Sequence, residues 1–398
     1  MNMKTSLNEF RQYVAQVGEI DSIMIDVEKA EGIWVWDTSG KKYIDMLSGI
    51  CVGNIGHRNP RVIEKIKEQL DKYMHVMVYG EFIQSPQLDY AKRLMEFLPK
   101  NFNQIFYVNS GSEAIDGAIK TAKIYTKRTE IISFKNSYHG STLGAVSMMS
   151  DEAYTEKFLP LIPDCRSIEY NNEDDLKYIT TKTACVVAES VQVGAGIILP
   201  QNDFLKKLSL RCKEVGALLI MDEIQTGFGR TGKLFAFENY GFVPDILCIA
   251  KGMGGGMPIG AFVGSKEIMD KLNNHHPLIG HATTFGGHPI SCIAALETLN
   301  VLVDENLIEG VNRKGEIYRQ KLIHPKIKEV RGIGLFNCIE LTNPDDWQKA
   351  LIYCFEEGII TGTHLFNSGC LSIKPPLIIT EEEIEHSIEK ILKALDRL

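Results

Sequence analysis

Six short apolar runs, each ending in a polar or small residue, constrain the fold of this chain more than any other feature. They occupy residues 104–110, 130–137, 184–190, 217–223, 245–251 and 259–265. Each run is apolar on both faces that a strand would present, which is typical of strands buried inside a sheet. Helical patterns lie between several of them, and the one after Asn109 has an apolar face made of Ile115, Ala118, Ile119 and Ala122. This alternation predicts an α/β fold with a largely parallel sheet.

The last hundred residues have a different pattern, which predicts a smaller α+β unit. A helical stretch at about 288–322 precedes a strand, a glycine turn and a second strand at 327–341. A helix near 345–357 and a C-terminal helix from about Glu381 follow. Near the other terminus, residues 34–46 are typical of a β-hairpin. We therefore expect three parts: an N-terminal segment (1–45), a large domain (46–302) and a small C-terminal domain (303–398).

Functional groups in an open α/β sheet gather at the carboxyl ends of the strands, and three of the predicted ends carry such groups. The first is the turn from Asn109 to Glu113, where Ser110, Gly111 and Ser112 would expose backbone N–H groups at a helix N-terminus. Such a turn can bind an anion, typically a phosphate. A serine-capped turn without a ligand would have the same sequence.

The second and third strand ends carry charges that are costly to bury. Asp222 needs a cation or hydrogen-bond donors, so its partner is a cationic ring nitrogen, a metal, or a basic side chain in a structural ion pair. The adjacent Glu223 points to the opposite face. Lys251 would have its pKa lowered by burial, and a neutral amine attacks aldehydes. A lysine that reaches the surface is the alternative.

A phosphate-binding turn, a buried aspartate and a buried lysine on one sheet edge fit pyridoxal 5′-phosphate (PLP). The lysine would form a Schiff base with the aldehyde, and the aspartate would keep the pyridine nitrogen protonated. The glycine-rich turn would hold the phosphate.

The chain resembles the class III, fold-type I aminotransferases, among them acetylornithine, ornithine and 4-aminobutyrate aminotransferases, from about Glu31 to the Pro375-Pro376 pair. The most specific stretch is MDEIQTGFGRTGKLFAFENYGFVPDILCIAKGMGGGMPIGA at 221–261. Shorter supporting stretches lie at 46–57, 107–114, 137–140, 283–289 and 331–341. The resemblance implies a large PLP-binding domain with a mainly parallel sheet, a smaller α+β domain, and a homodimer with both sites at the interface.

The resemblance also implies a role for each matching residue. Lys251 would form the Schiff base and then move a proton, and Asp222 would pair with the ring nitrogen. Glu189 would orient Asp222 or Gln225. The cofactor-binding positions beside these are Gly111 and Ser112 at the phosphate, Tyr138 and Ile224 on the ring faces, Gln225 near the ring hydroxyl, and Thr284, which would reach the phosphate of the partner subunit's cofactor.

Three departures from the family pattern concern the substrate. In many relatives two arginines bind the carboxylates of the substrate, and a glutamate that pairs with an active-site arginine swings away to admit glutamate. Here the two arginine positions are Ser141 and Ser372, and the glutamate position is Gly194. Because the whole set is missing, no buried charge is orphaned, and the pattern indicates a changed specificity. We expect 2-oxoglutarate and glutamate to be poor substrates unless another cation substitutes. The candidates for substrate contact are Ser141 and Lys374, the latter either a point-charge carboxylate ligand or a surface residue.

Histidines do not point to a metal site. His275 and His276 are adjacent in a loop without a further ligand in register, so we expect no metal. His139 is expected to pack or to support a neighbouring residue, since Lys251 already supplies proton transfer.

Charge and cysteine content exclude several classes of protein. The net charge is 43 − 51 = −8, which argues against a nucleic-acid partner. No run approaches the roughly 18 apolar residues of a membrane span, and the first residues lack the apolar core of a secretory signal. Nine scattered cysteines without Cys-x-x-Cys spacing fit reduced thiols in a cytoplasmic protein.

The leading hypothesis is a class III transaminase that moves an amino group, often from a terminal carbon, to an oxo acid or aldehyde by ping-pong half-reactions. A racemase or aminomutase on the same scaffold is the first alternative. A non-catalytic PLP-fold binding protein is the second, and the intact Lys251, Asp222 and Gln225 argue against it.

Overall fold

Three antiparallel strands near the N-terminus form the first sheet of the computed structural model, which describes residues 9–15, 23–273 and 280–398. They are β1 (Val27–Glu31), β2 (Trp34–Asp37) and β3 (Lys42–Asp45), of which the last two form the expected hairpin. β3 also pairs in parallel with a two-residue strand at Ile359–Ile360. The N-terminal segment is therefore joined to the last hundred residues.

The central sheet has seven strands, six of which coincide with the apolar runs. In chain order they are β4 (Gln104–Val108), β5 (Glu130–Phe134), β6 (Cys165–Ile168), β7 (Thr183–Glu189), β8 (Leu218–Asp222), β9 (Ile246–Ala250) and β10 (Gly260–Gly264). Their spatial order is β4-β10-β9-β8-β7-β5-β6. β6 was not predicted because it is a short edge strand in which only Ile168 is buried.

The sheet is mixed but mainly parallel. β5 pairs in parallel with β6 and β7, and β7, β8 and β9 are parallel to one another. β10 alone runs antiparallel to both its neighbours, β9 and β4. The carboxyl ends of β4, β5, β7, β8 and β9 therefore meet at one edge of the sheet.

Nine helices of eight or more residues surround these strands in the described part of the chain. They are α1 (Pro60–Leu70), α2 (Ser85–Met95), α3 (Gly111–Thr126), α4 (Phe204–Val215), α5 (Lys266–Asn273), α6 (Pro289–Asp304), α7 (Val311–Lys321), α8 (Trp347–Glu356) and α9 (Glu381–Leu395). Shorter helical turns lie at Ser48–Cys51, Leu143–Val146, Glu152–Thr155, Glu156–Phe158, Glu173–Tyr178, Ala236–Tyr240, Lys251–Met253 and Pro344–Asp346. No helix of the described residues is both long and apolar enough to cross a bilayer.

The helical stretch expected at about 288–322 consists of two helices, α6 and α7, with a turn between them. Asn306, just after α6, adopts the left-handed conformation with φ 49°, which asparagine tolerates better than most residues. α6 packs against α1 and α2. It also contacts the short turn Lys251–Met253 that follows β9.

A three-stranded antiparallel sheet occupies the C-terminal part. It consists of β11 (Ile327–Ile333), β12 (Phe336–Leu341) and β14 (Cys370–Ile373), while β13 (Ile359–Ile360) joins the N-terminal sheet. β14 leads into the proline pair. This path carries the residues before Pro375 to the edge of the central sheet, where Lys374 N–H donates to the carbonyl of Met46 at 2.7 Å.

Candidate active site

A cavity of about 750 Å³ opens at the carboxyl edge of the central sheet. Eight of the nine predicted cofactor-binding residues line it: Gly111, Ser112, Tyr138, Glu189, Asp222, Ile224, Gln225 and Lys251. Lys374 lines it as well, whereas Ser141 and Thr284 do not. The strand ends thus bring together residues that are up to 140 positions apart in the sequence.

Lys251 follows β9 directly and begins a short 3₁₀ turn with φ 48°, a left-handed conformation that is rare for lysine. Burial lowers the pKa of its amine, and the charges of Asp222 and Glu189 act in the opposite direction. A lowered pKa increases the fraction of neutral, nucleophilic amine. Lys251 can therefore attack an aldehyde placed in the cavity.

Asp222 ends β8 and is held at both carboxylate oxygens. Its Oδ2 lies 2.7 Å from Nδ1 of His139, and its Oδ1 accepts a hydrogen bond from the N–H of Ile224 at 3.0 Å. Asp222 is 6% exposed. These contacts fix an acidic group in the cavity wall, where it can meet a cationic ring nitrogen.

His139 is the orienting residue of Asp222. Burial alone would lower the pKa of its imidazole, but the hydrogen bond and charge of Asp222 outweigh burial, so the pKa is raised above 6.5. The sequence suggested a supporting role for this histidine without naming its partner. The signal was its place in the Tyr138-His139-Gly140 turn, and the partner became visible only when β5 and β8 were placed in one sheet.

Glu189 makes no direct hydrogen bond to Asp222 or Gln225 among the described residues, so its expected orienting role stays a prediction. Its carboxylate instead accepts hydrogen bonds from the backbone N–H groups of Tyr138, at 3.3 Å, and Val193, at 2.9 Å. Burial raises its pKa to about 7. Glu189 therefore fixes the two loops that border the cavity.

Glu223 lies on the opposite side of the strand from Asp222, as the alternation of side chains requires. Its carboxylate accepts hydrogen bonds from the hydroxyls of Ser190 and Thr226 and from two backbone N–H groups, at 2.5–2.9 Å. It is fully buried and does not line the cavity. It holds the loop after β8 in place.

The N-terminus of α3 faces the cavity beside these groups. Ser110 Oγ accepts a hydrogen bond from the N–H of Glu113 at 3.3 Å, which caps the helix. No described residue accepts a hydrogen bond from the N–H groups of Gly111 and Ser112, as expected for the first turn of a helix. With the positive end of the helix dipole behind them, these groups can bind a phosphate.

Ser141 lies on the outer side of this turn. Its N–H donates to Ser112 Oγ at 3.2 Å, and its hydroxyl lies 2.9 Å from the hydroxyl of Tyr138. Ser141 is not among the residues that line the cavity, and its contact with the substrate stays a prediction. It braces the residues that face the cavity.

The residues present fit PLP, and the fit rests on features of the cavity itself. Gln225 has a buried Oε1 without a hydrogen-bond partner among the described residues, which suits a ring hydroxyl. Asp222 suits the ring nitrogen, Lys251 the aldehyde, and the N-terminus of α3 the phosphate. Each polar group of the cofactor thus has a matching group on the cavity wall.

The C-terminal part contributes the remaining wall of the cavity. Lys374 is 4% exposed, so the surface alternative for this residue is wrong. Ser372 Oγ lies 3.0 Å from Nε2 of His364, whose Nδ1 lies 2.7 Å from the carbonyl oxygen of Val193. Sequence reasoning missed His364, because no strand pattern or motif surrounds it. His275 and His276 lie outside the described residues.

Comparisons with known proteins agree with this geometry. The family model for class III aminotransferases matches residues 15–395. The acetylornithine aminotransferase of Methanopyrus kandleri is 37% identical over 92% of this chain and 92% of its own length. The [LysW]-aminoadipate semialdehyde/glutamate semialdehyde transaminase of Sulfurisphaera tokodaii is 40% identical over 93% of this chain and 95% of its own.

The crystal structure of the ornithine aminotransferase from Toxoplasma gondii ME49 superposes with a TM-score of 0.92 at 30% identity, over 99% of this chain and 95% of that one. Class III aminotransferases use PLP, which is the cofactor that the cavity fits. The racemase, aminomutase and binding-protein alternatives gain no support from these relatives. The chain belongs to the class III aminotransferase family and is a PLP-dependent transaminase of the α/β, fold-type I architecture.

Proposed function

We propose that the protein takes the terminal amino group of an ornithine-like or 4-aminobutyrate-like donor and passes it to an oxo acid or aldehyde in two half-reactions. The observation that carries this proposal is the convergence of Lys251, Asp222 and the α3 N-terminus on one cavity. Relatives named for acetylornithine, ornithine and semialdehyde substrates support a terminal amine.

When bound, PLP supplies an aldehyde for the amine and an electron-withdrawing ring. Lys251 holds the cofactor through its Nζ, and the same atom removes and returns the proton of the carbon that bears the amine. Asp222, oriented by His139, holds the proton on the ring nitrogen. The other contacts come from Gly111 and Ser112 at the phosphate, Tyr138 and Ile224 on the ring faces, Gln225 at the ring hydroxyl, and Glu189, which fixes the loops around them.

Acceptors with two carboxylates are expected to be poor substrates. Ser141 lies outside the cavity wall, Gly194 carries no charge, and the hydroxyl of Ser372 is engaged by His364. None of the three provides a guanidinium fork, and a charge-assisted hydrogen bond contributes about 1.5–3 kcal/mol. The loss of each fork should lower the affinity for a dicarboxylate about 10–100-fold.

The test combines one mapping experiment with one series of half-reactions. Borohydride reduction followed by peptide mapping should find the cofactor on Lys251, and an adduct on another lysine would refute the assignment. The amino form of the enzyme should react faster with pyruvate or an uncharged aldehyde than with 2-oxoglutarate. A large preference for 2-oxoglutarate that survives the K374A substitution would refute the proposed acceptor specificity.

The proposed assembly is a cytoplasmic homodimer with both sites at the interface. Thr284 is exposed and outside the cavity of its own chain, which suits a residue that serves the partner subunit's cofactor. A group of exposed apolar side chains supports an interface nearby: Met74, Met77, Tyr79, Phe82, Ile83, Leu88 and Phe285. All nine cysteines are unpaired, which suits a reducing compartment.

The proposed division of the chain is an N-terminal segment (1–45), a large PLP-binding domain (46–302) and a small domain (303–398). The two separate sheets after residue 27 and after residue 327 support this division. The pairing of β3 with β13 attaches the first part to the third. Limited proteolysis that releases stable fragments at these boundaries would test it.

A further inference from the structure

Lys374 is a buried cation for which the described residues supply no carboxylate partner. It is 4% exposed, and no carboxylate of the described residues lies within ion-pair distance of its Nζ. Its ammonium group lies 5.5 Å from the centroid of the Phe336 ring. A buried lysine without a partner is costly, so a residue that lines a substrate cavity in this state is a candidate for binding a ligand.

The other two cations near Lys374 are already engaged. Arg230 donates to the carbonyl oxygens of Leu335 and Pro375 and to the side chains of Ser48 and Asn54, and it does not line the cavity. Lys251 is assigned to the cofactor. Burial lowers the pKa of Lys374, the Cys51 thiol acts in the opposite direction, and the charges of Lys251 and Arg230 lower the pKa further. An anion bound beside Lys374 would restore its charge.

The Ser372 hydroxyl does not provide a second donor for such an anion. His364 Nδ1 must donate to the carbonyl of Val193, since a carbonyl can only accept. Burial lowers the pKa of His364 to about 3, so its Nε2 carries no proton and accepts the hydrogen of Ser372. Ser372 Oγ therefore presents only lone pairs to the cavity. This arrangement leaves Lys374 as the charged donor that the described residues of this wall offer to a carboxylate.

We propose that Lys374 Nζ binds the carboxylate of the substrate as a single point charge, and that the enzyme thereby selects donors and acceptors with one carboxylate rather than two. The inference rests on the proposed function, because it concerns the same cavity. Apolar side chains, Leu47, Ile50 and Val52 among them, line the same cavity. The other basic groups of its described lining are Lys251, which is assigned to the cofactor, and the hydrogen-bonded His139 and His364. A lysine also lacks the fork with which arginine holds both oxygens of a carboxylate.

The first measurement compares two amines that differ only in the carboxylate. The ratio of kcat/KM for 4-aminobutyrate to that for butylamine is determined with the wild-type holoenzyme and with K374M. We expect the ratio to fall about 10–100-fold in K374M, because one charge-assisted hydrogen bond is lost. K374R should recover part of the preference. K135M, which removes an exposed lysine paired with Glu169, is the matched control and should keep the wild-type ratio.

The second measurement is independent of turnover. Butyrate, which carries the carboxylate but no amine, should raise the unfolding midpoint of the wild-type holoenzyme and leave that of K374M unmoved. K374M itself should unfold at a higher temperature than the wild type, because a buried unpaired charge is removed. If K374M does not fold, K374Q, which removes the charge but keeps a polar side chain, takes its place.

The outcomes separate the two proposals. A ratio within threefold of the wild type in K374M, or stabilisation of K374M by butyrate, would overturn the assignment of Lys374 while leaving a working transaminase. A lower unfolding midpoint with an unaltered ratio would give Lys374 a structural role and overturn it as well. If neither amine is turned over, the proposed function fails, and the butyrate measurement still decides whether Lys374 binds a carboxylate.

Discussion

Lys251 and Lys374 line one cavity, but their electrostatic surroundings differ. The charges of Asp222 and Glu189 favour the protonated form of Lys251, whereas the charges of Lys251 and Arg230 disfavour that of Lys374. Burial lowers the pKa of both amines. Lys251 therefore has carboxylates of this chain near it, whereas Lys374 depends on the carboxylate of a bound ligand.

The stability of the apo-protein should depend on pH through Lys251. Its pKa lies below 10.5, so between its folded value and 10.5 the unfolded chain binds more protons at this site than the folded chain. The unfolding free energy should therefore rise with pH across this window. K251M lacks the titrating group, so any stability that it gains over the wild type at pH 7 should shrink towards pH 10. Urea unfolding of both apo-proteins measures this, and a pH-independent difference would contradict it.

Asp222 and His139 should differ in the size and kind of their effect on catalysis. D222A removes the anion opposite the ring nitrogen, and turnover should fall about 10²–10⁴-fold, since a buried charge loses its partner.

H139N removes only the orienting contact to Asp222, so we expect a loss of turnover of about tenfold. Asp222 raises the pKa of His139 above 6.5, so the wild-type rate should decline as the pH rises through this raised pKa and the imidazolium loses its charge. H139N should lack this decline, and a profile identical to the wild type would exclude the orienting role.

Single residues could be predicted where the sequence itself shows a conflict. A charge at the end of an apolar strand is such a conflict, and it identified Asp222 and Lys251. His364 and the burial of Lys374 could not be found in this way. His364 is held by Val193 and Ser372, which are remote from each other in sequence, and the backbone of Lys374 bonds to that of Met46, near the other end of the chain.

Among the elements, the turn after β5 determines how the N-terminus of α3 is presented. A Cβ on Gly140 would lie 2.0 Å from Ser112 Oγ, and its φ of +132° is unfavourable for other residues. A side chain here would therefore displace the serine that faces the cavity.

G140A should weaken PLP binding at least tenfold, because the phosphate-binding turn must shift. Gly40 provides the matched control, since its φ is +85° and a Cβ there meets nothing within 4 Å. G40A carries a similar backbone strain without the collision. Fluorescence titration of both apo-variants with PLP measures the difference, and equal affinities would show that the collision is relieved without cost.

Elements were predicted well where burial is complete and poorly where it is not. The strands β7, β8 and β9 are buried at every position, so their apolar runs gave nearly their true bounds. β6 has one buried residue and left no signal. The turn between α6 and α7 depends on the left-handed conformation of Asn306, which an amphipathic pattern does not encode.

For the whole molecule, the apolar group around Ile83 bears on assembly. Ile83 is 92% exposed, and an aspartate at this position would be harmless in a monomer. In the proposed dimer the aspartate of each subunit would be buried at the interface, so two charges would lose their contact with water. I83D should therefore dissociate the dimer and lower turnover, as light scattering and an activity assay would show. I323D, which alters an isoleucine that is 78% exposed elsewhere, should do neither. A wild-type protein that is monomeric and fully active would exclude the dimer.

The pairing of β3 with β13 has a consequence for synthesis on the ribosome. Ile44 and Ile359 are neighbours in the sheet but are made at opposite ends of translation. The carbonyl of Met46 likewise receives its hydrogen bond from the N–H of Lys374 only after Lys374 has been synthesised. The nascent chain can form much of its central sheet early. The wall of the cavity is complete only when nearly the whole polypeptide has left the ribosome. A truncated translation product that lacks its last 40 or so residues is therefore expected to have no complete catalytic pocket, and so no premature chemistry.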